Sequence, residues 1–212
     1  MINRSLKKSA FTLAETLLTL AIVGVIAAMT IPSLKDFSDE VKYVTAAKKA
    51  YTNVQSATTA LETRYGDLKW WPWAQTTEMS TRYKGVLNSL PQLTTDTYSI
   101  AFLDGNDWTN VTEPNWFQTT DGMVWSLSAY NNSMGSVGAI YVDTNGPAVP
   151  NRVGVDVLGF VVTNDGVFPM NDKIHDKSAD WGCAYYAIKT GKMPWVTDTS
   201  YQNCKDPRID GI

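Results

Sequence analysis

Apolar residues fall in two rhythms along the first third of this chain. From Phe11 to Leu34 they are nearly continuous, and Glu15 is the only charge. As a helix that run covers roughly 36 Å, enough to cross a hydrocarbon core of about 30 Å. Beyond it the apolar positions recur every three or four residues: Phe37, Val41, Val44, Ala47, Tyr51, Val54, Thr58, Leu61 and Tyr65. Polar residues such as Asp39, Lys42, Lys48, Lys49 and Glu62 fall between them. This spacing predicts an amphipathic helix over 35–66, laying one stripe on an apolar surface. Gly66 suits its carboxyl cap. Pro32 lacks an N–H, so the carbonyl of Ala28 loses its helical partner, and a kink or loosened turn is expected there.

After Gly66 the pattern becomes strand-like. The stretches 97–105, 122–130, 137–146 and 155–168 are rich in aromatics, Thr and Val. Asp121-Gly122, Asn145-Gly146 and Asp165-Gly166 supply the positive-φ residues that tight hairpins require. The stretch around Trp70, Trp71 and Trp73 and the last forty or so residues read as irregular. The expected fold class is α+β, a long amino-terminal helix packed on a small antiparallel sheet.

Composition then narrows the function. The 212 residues carry a net charge of −3, and the first ten contain Arg4, Lys7 and Lys8 with no acid. The remainder is therefore more acidic still, which argues against broad nucleic-acid binding. All 8 tryptophans lie beyond residue 69, so the front and the body are different materials. Trp70, Trp71 and Trp73 could cap a helix–sheet core, anchor at a lipid interface, or meet a glycan or partner. Core or subunit packing is the favoured reading. His175 is the only histidine, which removes histidine-rich metal sites. A zinc site of His175, Cys183 and Cys204 lacks a fourth ligand and the usual close spacing. No Walker loop or dinucleotide fingerprint is present, and no catalytic activity is expected. In an exported chain Cys183 and Cys204 read as a disulfide, the alternative being two buried thiols. The bridge would contribute roughly 3 kcal/mol in the chain-entropy model.

The membrane segment admits several readings. Its basic start places the amino terminus in the cytoplasm and the body outside it. A secretory signal peptide cut after Ala27 is one possibility, and a plain single-span anchor is another. Neither explains Glu15, since an acid inside a bilayer span costs roughly 2.5–3.5 kcal/mol on insertion scales. If the chain is instead cut between Ala10 and Phe11, the new amine lies one helical turn above Glu15. In an assembly of staggered parallel helices a neighbour's amine would pair with that carboxylate and fix the register.

The run "KKSAFTLAETLLTLAIVGVIAAMTIPSL" resembles the leader and helix of type IV pilins and type II secretion pseudopilins. In that family a prepilin peptidase cuts before a phenylalanine, and the new terminus is methylated. A glutamate follows at the fifth mature position and often a proline at the twenty-second. Here Phe11, Glu15 and Pro32 occupy those places, while Ala10 stands where the family usually has glycine. The resemblance implies a leader over 1–10, a membrane and filament-core helix over 11–34, an amphipathic helix over 35–66 and a pilin-like head over 67–212. It also implies a disulfide-bounded loop late in that head. The implied partners are the peptidase, an inner-membrane assembly platform, membrane lipid and other pilin or pseudopilin subunits. The implied location is a bacterial inner membrane, single pass, with the head periplasmic, and later a filament. A reading from another class is an anchored or secreted binding domain with an aromatic surface.

One constellation in the body invites a metal. Asp143, Asn145, Asn151 and Asp156 place four oxygen-bearing side chains close together, with Gly146 at a turn. Calcium takes six to eight oxygens on such loops, and several pseudopilins resemble this chain in stabilising the head with calcium. The alternative is a hairpin turn at Asn145-Gly146 with solvated acids.

Overall fold

A computed structural model describes residues 12–93, 97–112, 114, 116–129, 136–170, 179–198, 200, 201 and 204. The chain divides into two compact units, Met1–Ser38 and Asp39–Ile212. The first helix, α1 (Leu13–Tyr65), enters both. The helix runs through Pro32 without a break, at the place where a kink or a loosened turn was expected. It stops where expected: Gly66 takes φ +79°, and its N–H donates to the Glu62 carbonyl at 2.8 Å.

Within the first unit α1 is bare. Leu13, Leu17, Leu20, Ile22, Val25, Met29 and Ile31 are all exposed. This is the one helix among the described residues long and apolar enough to span a membrane, and it lies near the amino terminus.

The second unit is α+β. Five antiparallel strands lie in sequence order: β3 (Trp116–Gln118), β4 (Val124–Ala129), β5 (Ser136–Asp143), β6 (Val157–Thr163) and β7 (Gly166–Pro169). A separate hairpin, β1 (Tyr98–Ala101) and β2 (Asp107–Val111), precedes them. Side chains alternate across a strand, and the burial follows that period. Trp125, Ile140, Val142, Leu158, Phe160 and Val162 share a core with Val44, Ala47, Val54 and Leu61 of α1. Val124, Ala139, Val157 and Val161 share the other with Ile100, Val111 and Trp181. The sheet is thus covered on both faces, which is why β6 is buried over almost its whole length.

The buried stripe of α1 is rotated from the expected one. Tyr43, Ala50 and Ala57 join Val44, Ala47, Val54, Thr58 and Leu61, while Phe37, Val41 and Tyr65 are exposed. Three small alanines let the sheet approach the helix closely, an advantage that hydrophobicity alone does not signal. Tyr51 stacks on Phe160 with ring centroids 5.8 Å apart. Thr58 and Tyr83 share a buried hydrogen bond of 2.7 Å.

Helix α2 (Thr76–Val86) begins at the end of a stretch expected to be irregular, and α3 (Cys183–Thr190) lies within another. Trp71 and Trp73 are core residues stacked at 6.2 Å, as favoured, but Trp70 is 76% exposed. Gly138 is obligatory there: a Cβ would lie 2.1 Å from the Trp73 ring. Asp121-Gly122 and Asp165-Gly166 turn β3 into β4 and β6 into β7, with φ of +89° and +132° at the glycines. Asn145-Gly146 does not close a tight hairpin. It opens a longer loop, residues 144–156, between paired Asp143 and Val157.

Candidate functional site

Two places concentrate chemistry, one in each unit. At the start of α1, Thr12 and Glu15 form a reciprocal cap. The Glu15 N–H donates to Thr12 Oγ1 at 3.2 Å, and Glu15 Oε2 accepts from the Thr12 N–H at 2.8 Å and from its hydroxyl at 2.9 Å. Glu15 Oε1 accepts no hydrogen bond among the described residues, and the group is exposed. The carboxylate is therefore held at the helix mouth, with one oxygen unengaged among the described residues, on the positive end of the helix dipole. The T-x-x-E spacing was visible in the sequence, but the register argument drew attention to Glu15 alone. Ala10, Phe11 and His175 lie outside the described residues, and Pro32 is exposed on a helical turn.

In the second unit, Asp143 and Asp156 are both fully buried. Asp143 ends β5, where Oδ2 accepts the Tyr98 hydroxyl at 2.6 Å and Oδ1 accepts the Asn145 N–H at 3.2 Å. Asp156 accepts the N–H groups of Asn151 at 2.9 Å and Arg152 at 2.7 Å. Neither has an ion pair among the described residues. Burial, and then the neighbouring charge of Asp156, pushes Asp143 up to about 7. Burial also raises Asp156, against the backbone donors that lower it. Tyr98 is raised by burial and by the Asp143 charge.

Asn145 completes this group. Its Nδ2 donates to the Ala148 carbonyl at 2.9 Å, its side chain reaches Asp156, and its Oδ1 is buried without a partner. Asn151 does not join the oxygen cluster through its side chain. Its amide lies among the loop's own carbonyls: the nitrogen donates to the Pro147 carbonyl at 3.3 Å, and with the amide turned over it would donate to those of Gly146 and Ala148. Its positive φ of 50° aims its own N–H at Asp156. Three of the four proposed oxygen donors are thus together. Tyr98, a fifth participant, was missed because it lies 45 positions from Asp143 in sequence. No group of three or more His, Cys, Asp or Glu side chains suited to a metal occurs among the described residues.

The disulfide joins Cys183 and Cys204, whose Cα atoms are 5.2 Å apart. It packs on the same loop, since a Cβ on Gly154 would lie 2.6 Å from Cys183 Sγ. The Trp195 ring N–H donates to the Gly154 carbonyl at 2.9 Å, and Tyr186 packs edge-on to Trp195 at 5.4 Å. These two aromatics of the disulfide-bounded loop therefore serve packing.

No family model, curated protein or solved structure matches this chain.

Proposed function

We propose that this chain is a non-catalytic structural subunit of a filament of the type IV pilus or type II secretion pseudopilus kind. On this reading a prepilin peptidase removes residues 1–10, Phe11 becomes a methylated amino terminus, and the head faces the periplasm. The observation that carries it is the bare apolar run 13–34 of α1, whose single acid, Glu15, sits at its mouth with Oε1 accepting no hydrogen bond among the described residues. In lipid such a helix keeps its apolar surface from water, and neighbouring helices would serve equally in a filament core. Glu15 Oε1 would take the amine of a neighbouring subunit, turning a costly charge into a register mark.

The deciding experiment is amino-terminal sequencing with intact mass on protein from its native membrane. A chain starting at Phe11 with one added methyl group is expected. A start after Ala27 or Ala28 would leave a secreted domain and end the filament reading. Glu15→Ala should insert into the membrane normally and fail to assemble.

A calcium ion suits the second unit. Two buried carboxylates with no paired cation among the described residues, beside a buried amide oxygen with no partner among them, form a donor set of hard oxygens. Asp143, Asp156 and Asn145 Oδ1 would hold it, and its charge would relieve the repulsion between the two acids. The chain's own groups already order the loop around that point through the Tyr98, Asn151 and Arg152 donors.

A further inference from the structure

We infer that the loop tip at Val149 and Arg152 of one copy of this chain docks into a groove beside Phe168 of the next copy. The inference rests on the filament reading and names the contact between its heads.

The tip is presented, not buried. Val149 is 80% exposed, and Arg152 is exposed with no ion pair among the described residues. Its backbone is nevertheless ordered, because Asp156 holds the N–H groups of Asn151 and Arg152. Asn145 and Asn151 also tie the loop's carbonyls together. A preordered tip loses little conformational freedom on docking. The cleft beside it also contains Asp39, Tyr43 and Trp195. Asp39 and Arg152 form no ion pair there.

The receiving groove has about 290 Å³ of space. Tyr51, Gln55, Thr59, Glu62, Asp165 and Phe168 line it, and no Lys or Arg does. Glu62 and Asp165 make no ion pair among the described residues, and Phe168 is 38% exposed. A cation and an apolar tip thus match two acids and a part-exposed aromatic ring.

Position supplies the second argument. The buried stripe of α1 runs through Ala47, Val54 and Leu61. At roughly 100° per residue, Asp39 falls to one side of it, and Gln55, Thr59 and Glu62 to the other. Tip and groove therefore occupy opposite flanks, and the tip's flank lies nearer the amino-terminal end of the helix. Two different patches on one molecule make a heterologous contact, which propagates into a helical filament when it does not close into a ring.

The test uses the full-length chain in cells that carry a prepilin peptidase and an assembly platform. Val149→Cys and Phe168→Cys, placed together in an otherwise unaltered chain, should give an oxidative ladder of cross-linked subunits that neither single variant gives. Arg152→Glu should lower filament yield roughly tenfold or more, with restoration when Glu62→Arg and Asp165→Arg are added. The melting temperature of the detergent-extracted protein checks that each head is folded. Filaments at normal yield from Arg152→Glu, or filaments without the ladder, would overturn this contact and leave the filament reading standing. Absence of any filament from the unaltered chain, despite cleavage before Phe11, would overturn both.

Discussion

The Tyr98 hydroxyl donates to Asp143 Oδ2 across 2.6 Å, joining the first strand of the β1–β2 hairpin to the last residue of β5. The hairpin covers the face of the sheet that carries Val124, Val157 and Val161, so this bond fixes a cover as well as satisfying a buried acid. Tyr98→Phe keeps the ring and removes the donor. Leaving a buried acceptor one bond short costs about 1–3 kcal/mol. The midpoint of urea unfolding should fall accordingly, with an unchanged slope. No fall in the midpoint would show that the bond is dispensable.

Calcium should raise the melting temperature of the intact chain, and chelator should lower it. Asn145→Ala, which removes the buried unpartnered oxygen together with the Nδ2 bond to the Ala148 carbonyl, should lower the melting temperature in chelator somewhat and shrink the difference between calcium and chelator. Equal melting in calcium and chelator would dispose of the metal. A normal calcium response in Asn145→Ala would dispose of Asn145 as a ligand.

The disulfide spans a sequence separation of 21, and removing it should cost about 3 kcal/mol through the freedom returned to the unfolded chain. The comparison is between oxidised protein and the Cys183→Ser/Cys204→Ser variant in denaturant. A loss well beyond that figure would mean that the contact with Gly154 contributes as well. Gly154 has φ +86° and no room for a Cβ, so Gly154→Ala should destabilise even the oxidised protein.

Asp180 accepts the Leu103 N–H at 2.9 Å and is largely buried. Burial raises it from 3.8 to about 6. A carboxyl with a raised native pKa binds its proton more tightly folded than unfolded. It therefore favours the native state most below pH 4, and that contribution declines as pH climbs from 4 to 6. Asp180→Asn should flatten this part of the stability profile. An unchanged slope between pH 4 and pH 6 would mean that Asp180 titrates normally.

What was legible in the sequence divides along physical lines. The span from Leu13 to Leu34 and the end of α1 at Gly66 could be read because periodicity and a positive-φ glycine are local signals. The pairing of Cys183 with Cys204 needed only two cysteines and an exported context. Helix α2 was missed because "TTEMSTRYKGV" has weak amphipathicity and a glycine near its end. Helix α3 was missed because "CAYYAIKT" is short and aromatic. Both are held by tertiary contacts through Met79, Tyr83, Cys183 and Tyr186. Strands β2 and β3 are only a few residues long, and pairing, not propensity, makes them strands. In the candidate site, the acids and amides of residues 143–156 announced themselves as a cluster. The Tyr98 partner and the inward turn of Asn151 toward the loop carbonyls depend on distant backbone that no local pattern encodes.

The glycine pressed against Cys183 has one further consequence. Because Gly154 sits against the Cys183 sulfur and both cysteines are buried, a reagent can reach the bridge only when its cover, the 144–156 loop included, lifts away. The rate at which a small reductant opens the bridge in the native protein is thus a clock for those openings. It allows the breathing of the head to be timed from a single chemical reaction, with no label attached.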